Sequence, residues 1–160
     1  MAEIEMSLLQ FIDHIAAAHE RIEKAEHERL ERVARLIEDE AKSSLGTYQE
    51  AAGPFAEWAE LADSTKDERV RLGFPENEPG LRTGEARDSI EHVVGEHEAV
   101  IGSNDEHLEV FELGTVSQPP RSVLGSAAVR KAPEVAEILG ESVVMGLVGR
   151  GVVGGKLPIL

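Results

Sequence analysis

Histidine and carboxylate side chains cluster between residues 92 and 107, and these are the residue types that bind divalent metals. The cluster comprises His92, His97, Glu98, Asp105 and His107. Two antiparallel strands that brought His92 close to His107 would form a metal site and suggest a small metal-dependent hydrolase. Turns of an acidic protein produce the same pattern by chance, so we predict no metal site, no cofactor and no catalytic residues.

Two further patterns of catalytic or nucleotide-binding proteins are incomplete. The segment "GRGVVGGK" (149–156) resembles a phosphate-binding loop only superficially, because Arg150 stands where a glycine is required and Leu157 replaces the Ser or Thr that would contact Mg²⁺. No Ser lies in a Gly-x-Ser-x-Gly nucleophile elbow, and the chain contains no Cys. The sequence therefore predicts that the protein is not an enzyme.

The most unusual stretch is "VFELGTVSQPPRSVLGSA", residues 110–127. Pro119 and Pro120 restrict φ at two successive positions and favour an extended path, which loses little entropy on docking. Arg121 follows with a planar group of five hydrogen-bond donors. We predict that Arg121 contacts an acidic group of the next copy of the chain; the alternative is an internal pairing with a carboxylate of its own chain.

Seven residues of this region are predicted to make contacts between subunits. Glu112 would accept a hydrogen bond from a neighbour, and Gly114 would let the backbone leave a strand. On this hypothesis Arg121→Glu would leave the monomer folded but prevent ring formation. The predicted contact residues are Phe111, Glu112, Gly114, Thr115, Pro119, Pro120 and Arg121.

Composition limits the protein's partners. The formal charge is −15, so the chain lacks the basic surface that sequence-specific nucleic-acid binding requires, although DNA can pass beside it without being held. Apolar residues make up 41% of 160 residues, which is enough for one domain with a core. No segment resembles a secretory signal or the roughly 18–20 apolar residues of a membrane span, so we expect synthesis in the cytoplasm and no membrane partner.

The predicted fold class is α+β in a single domain, 1–160. Residues 1–45 contain a long amphipathic helix, whose length of about 60 Å exceeds the remaining globule. It either projects and buries its apolar stripe on another copy, or kinks near His19 and folds back as a hairpin. The apolar positions are Leu8, Phe11, Ile12, Ile15, Ile22, Leu30, Val33, Leu36 and Ile37.

The rest of the chain is predicted as four further segments. Residues 46–80 hold a short helix starting near Pro54, a second helix capped by Ser64 and Asp67 and ended by Gly73, and a loop. Residues 81–115 form a β-meander of about three antiparallel strands (89–94, 99–103 and 108–113) packed by helices. Residues 116–150 form the elbow and a C-terminal helix that breaks or restarts at Pro133. Residues 151–160 form an extended tail.

Several segments in order resemble one family. They are "WAELADST" (58–65), "GLRTGEARDSI" (80–90), "VIGS" (100–103), "VFELGT" (110–115) and "PPRSVLGSA" (119–127). Together they are similar to the bacteriophage virion-morphogenesis family of tail-completion or neck proteins, over roughly residues 55–145. The resemblance implies a non-enzymatic virion subunit that forms a ring, often sixfold, between the head connector and the tail tube.

This resemblance sets the expected function and its alternatives. We expect a homo-oligomeric ring at the head–tail junction, in contact with a connector or head-closure protein on one side and a tail tube or terminator protein on the other. The expected location is the neck of the virion, after assembly in the host cytoplasm. The first alternative is a tail terminator that caps the tube; the metal-dependent hydrolase and a cellular adaptor with a dimeric coiled coil are the others.

Overall fold

The computed structural model describes residues 7–148. The predicted tail, 151–160, lies outside the described residues. The elements in order are α1 (Leu8–Ser44), α2 (Asp63–Arg71), α3 (Glu85–Asp88), β1 (Glu91–Val94), β2 (Ala99–Gly102), α4 (Glu106–Leu113) and α5 (Leu124–Val148). The α+β class is confirmed: a long N-terminal helix, an antiparallel hairpin, and a C-terminal helix that packs on the first helix.

Helix α1 is continuous over 37 residues, so the alternative of a kink at His19 is wrong. A capping box starts it: the Ser7 hydroxyl accepts from the Gln10 amide, and the Gln10 side chain accepts from the Ser7 amide. It ends at Ser44, since Leu45 is extended and Gly46 has a φ of 97°. Glycine enters this left-handed region without the steric cost that a Cβ imposes.

The β-sheet has two strands, which corrects the predicted meander of three. Strands β1 and β2 pair antiparallel, with Val93 opposite Val100. The predicted third strand, 108–113, is instead helix α4. The spacing of its apolar residues fits a strand and a helix equally. Asp105 favours the helix because its carboxylate accepts a hydrogen bond from the His107 amide at 2.7 Å and caps the first turn.

Two local predictions between residues 54 and 72 are wrong. No helix starts at Pro54; the chain there makes a narrow turn in which Ala52 and Phe55 pair their backbones. Helix α2 exists, but it begins at Asp63 after Ala62, and no side chain caps it, so the Ser64 capping box is absent. Its end before Gly73, which has a φ of 79°, agrees with the prediction.

Helix α5 runs through Pro133 without a break, contrary to the prediction. Pro133 lies on the exposed side of the helix, where water can solvate the carbonyl group that the ring leaves without a donor. α5 packs antiparallel on α1, and Arg130 lies 3.5 Å from Glu40 across the contact. This contact continues into one hydrophobic core, formed by Ala41, Leu45, Trp58, Ile90, Leu108, Val123 and Ala127.

Candidate assembly site

The structure brings all seven predicted contact residues into one region, between the end of α4 and the start of α5. We call this region, residues 111–125 together with residues 58–60, the α4–α5 joint. The joint connects two parts of the chain that are far apart in sequence. Some of the seven side chains face inward and hold the joint together, and others face solvent.

Arg121 belongs to the inner part of the joint. Its side chain is only 3% exposed, with Nε donating to the Ala59 carbonyl at 2.9 Å and Nη2 donating to the Glu60 carbonyl at 3.0 Å. The guanidinium carbon lies 5.5 Å from the centre of the Phe111 ring, and burial lowers the pKa of Arg121. Within the described residues, the Arg121 guanidinium therefore links the start of α5 to the 58–60 segment of its own chain. Its partners are carbonyl groups, where the internal alternative had named a carboxylate.

Phe111 and Trp58 form the apolar part of the same contact between the two segments. Their rings meet edge to face, with centroids 5.2 Å apart. The Trp58 indole donates to the Ser122 carbonyl at 3.1 Å, and the Arg121 amide donates to the Phe111 carbonyl at 2.8 Å. Trp58 was absent from the predicted contact set, and its only signal was its place in the "WAELADST" segment.

Glu112 holds the start of α5. Its Oε2 accepts from the amides of Val123 and Leu124, and its Oε1 accepts from the Ser122 hydroxyl at 2.6 Å and the Gly125 amide at 3.1 Å. The first amides of a helix have no partner within it and carry partial positive charge, so a carboxylate there is stabilising. All of these donors belong to the same chain, whereas the sequence predicts a donor on a neighbouring subunit.

The outer part of the joint is a short loop with an apolar surface. Gly114 starts it with a φ of 73°, and Thr115 closes it by exchanging backbone hydrogen bonds with Gln118, one of them 2.8 Å long. Val116 is fully exposed and Leu113 is 70% exposed. Pro119 and Pro120 are exposed as well. We call these four apolar residues, Leu113, Val116, Pro119 and Pro120, the loop tip.

An open cleft lies beside the joint. It has a volume of about 440 Å³, and its apolar lining residues include Leu45, Leu108 and Phe111. Arg82 and His107 are among its polar lining residues. A cleft lined by both apolar and polar residues can receive an apolar side chain of another molecule.

The histidine cluster does not assemble into a metal site within residues 7–148. His92 lies between two carboxylates of α1: its Nε2 is 3.2 Å from Glu31, and its Nδ1 contacts Glu38. His107 is next to Asp105 on the surface. Among the described residues, no group of three or more His, Asp or Glu side chains is arranged to hold a metal ion.

Comparisons with other proteins add no identity. No protein family, no curated protein and no solved structure matched this chain. Among the described helices, none is long and apolar enough to cross a membrane.

Proposed function

We propose that this chain is a structural virion subunit of a tailed phage or a phage-derived particle, and that it forms a ring at the head–tail junction. The loop tip carries the proposal. Solvent-exposed apolar side chains are common singly, but here four lie close together in sequence, one at the end of α4 and three in the loop that follows, whose base is fixed on both sides. An apolar surface that is already rigid loses little entropy when a partner covers it.

The base of the loop tip accounts for its rigidity. Glu112 anchors the loop to α5, and Arg121 anchors it to the 58–60 segment. Gly114 and Thr115 set its turn. Of the seven residues predicted to make contacts, Pro119 and Pro120 meet the next copy together with Leu113 and Val116, which were not predicted. Phe111, Glu112, Gly114, Thr115 and Arg121 position this contact.

The cleft beside the joint is a concave surface, unlike the exposed loop tip. A ring requires heterologous contacts, in which one surface of each copy meets a different surface of the next. The exposed loop tip and the concave cleft are two such unlike surfaces. The connector on one side of the ring and the tail tube or terminator on the other are further proposed partners.

The charge of the chain is compatible with DNA passage. A ring of several copies, each with a formal charge of −15, does not retain a polyanion that moves through it. This supports a location in the neck of the virion, after assembly in the host cytoplasm, where DNA leaves the head without being bound.

The test is complementation of a phage or prophage that lacks this gene. We expect Val116→Glu to give a soluble, folded protein and heads without joined tails, because a charge in the contact opposes docking. Val70→Glu is the matched control, since Val70 is an exposed valine on α2; it should give normal tailed particles. Tailed particles from both variants would contradict the proposal.

Imaging of wild-type particles separates the proposed neck ring from the alternative. Density for this chain between the connector and the tail tube supports the neck ring. Density confined to the end ring of isolated, headless tails would instead identify a tail terminator.

A further inference from the structure

The first four turns of α1 carry an apolar stripe that the described chain does not bury. We call this stripe the α1 seam; it lies on one helical face, at positions with heptad-like spacing. The exposed fractions are 75% for Leu8, 53% for Phe11 and Ile12, 52% for Ile15 and 39% for Ile22.

The α1 seam continues the intramolecular contact between α1 and α5. The same face of α1 is buried further along, at Arg29 and Val33. Because α5 is antiparallel to α1, with Arg130 beside Glu40, its last residue, Val148, comes to about the level of Ile22. The α1 seam therefore begins where α5 ends, and a further helix can occupy the same face.

We infer that the α1 seam of a second copy is that helix, in an antiparallel two-fold pair centred near Ile15. This register places Leu8 opposite Ile22 and the larger Ile12 opposite the small Ala18, so large and small side chains interdigitate. A parallel pair would set Phe11 against Phe11 and Ala18 against Ala18, which alternates crowding with gaps.

The positions of the hydrophobic cores of the two copies also favour the antiparallel pair. From Glu26 onward, α1 is flanked by the hairpin, whose His97 lies 3.5 Å from Glu26, and by α5. In a parallel pair both cores would lie at the same level, and the two α5 helices would compete for the space between the two α1 helices. In the antiparallel pair the cores lie at opposite ends, and each α1 seam is accessible.

The pair is expected to be weak. The α1 seam is about 21 Å long and about 10 Å wide, well below the roughly 800 Å² that each partner of a stable complex buries. We therefore expect a reversible dimer of the protein before it joins a particle. A two-fold contact closes at two copies and cannot itself build a ring. The loop tip, beside the other end of α1, remains accessible, so this inference and the proposed function can fail separately.

Cysteine cross-linking of the full chain tests the pair without background, because the chain has no Cys. Ile15→Cys faces itself across the two-fold axis, so mild oxidation should convert most of it into a disulfide-linked dimer. Val93→Cys, at an exposed position (71%) on the hairpin, is the control and should stay monomeric. Leu8→Cys should not cross-link with itself, but it should form a mixed dimer with Ile22→Cys.

A second variant tests the same pair by a different measurement. Ile15→Glu should keep the helical circular dichroism of the wild type and lose the concentration-dependent dimer seen by light scattering. A wild-type chain that remains monomeric up to millimolar concentration, with no cross-link at Ile15→Cys, would overturn the inference and would leave residues 149–160 or another protein as the occupant. Efficient self-linking of Leu8→Cys would overturn the antiparallel register.

Discussion

The Oε2 atom of Glu112 accepts a hydrogen bond from the Leu124 amide at 2.9 Å, so the end of α4 caps the start of α5. A negative group in this position compensates several amides that α5 cannot pair internally. The contact also fixes the loop between the two helices at both ends.

Replacing this carboxylate should destabilise the fold. Glu112→Gln removes the charge and turns an amide NH₂ group toward backbone donors, so we expect a loss of about 1–3 kcal/mol in the free energy of unfolding. Glu109→Gln, an exposed position on α4, should change it by less than about 0.5 kcal/mol. Urea unfolding measures both. Equal stability of the two variants would contradict the capping role.

Arg121 should be required for folding rather than only for assembly. Arg121→Lys keeps the charge but loses the planar group that reaches two carbonyls and Phe111, and we expect a loss of about 2–3 kcal/mol. Arg71→Lys, at an exposed site on α2, is the control.

The structure also changes the expectation for Arg121→Glu. A carboxylate placed against the Ala59 and Glu60 carbonyls has no donor and is buried, so we now expect an insoluble or unfolded protein. Size-exclusion chromatography and circular dichroism check this. A monomer as stable as the wild type would show that the guanidinium is not needed in its buried site.

The sequence predicted the elements whose signals are local. The stripe of α1, the two hairpin strands, and the helix after the elbow depend on residues within a few turns of one another. Segment 108–113 was misassigned because its apolar residues suit a strand and a helix equally. The decisive signal, the Asp105 cap, lies three residues upstream.

The joint depended on contacts that no local pattern encodes. Arg121 binds carbonyls some sixty residues earlier in the chain, and every residue has a carbonyl. The sequence contains 31 Asp and Glu residues, and nothing in it indicates that Glu112 is the one that accepts hydrogen bonds from the α5 amides. The resemblance selected residues of one region, but it did not distinguish those that face inward from those that face solvent.

Gly114 should be hard to replace. At its φ of 73° an added Cβ would lie 2.7 Å from the Pro120 nitrogen and 2.9 Å from the Gln118 carbonyl oxygen, so Gly114→Ala adds a clash to the backbone cost. Gly73→Ala is the matched control, with a φ of 79° and no atom within 4 Å of the added Cβ. It should cost about 1–2 kcal/mol. Gly114→Ala should cost at least about 1 kcal/mol more in urea unfolding, and a smaller difference would show that the loop relaxes.

The His92 contacts with α1 should make stability depend on pH. The hydrogen bond to Glu38 and then that to Glu31 raise the pKa of His92 above its ordinary value of 6.5, although burial opposes them. The same contacts help to lower the pKa of both carboxyls; for Glu38 the hydrogen bond from Lys42 contributes most, and for Glu31 that from His92, followed by Arg35.

The directions of these pKa shifts define the pH range in which the contacts stabilise the fold. Because the pKa of His92 is raised on folding, its contribution is complete below 6.5 and is lost as the pH rises through the folded value. The carboxyls, with lowered pKa, contribute above 4.5 and lose that contribution as the pH falls. His92→Gln should therefore reduce the free energy of unfolding more at about pH 5.5 than at about pH 8.5. His27→Gln, at an exposed position on α1, is the control and should change the free energy of unfolding equally at the two pH values. Urea titrations at the two pH values decide it, and an equal loss for His92→Gln at both would show that the imidazolium does not join the hairpin to α1.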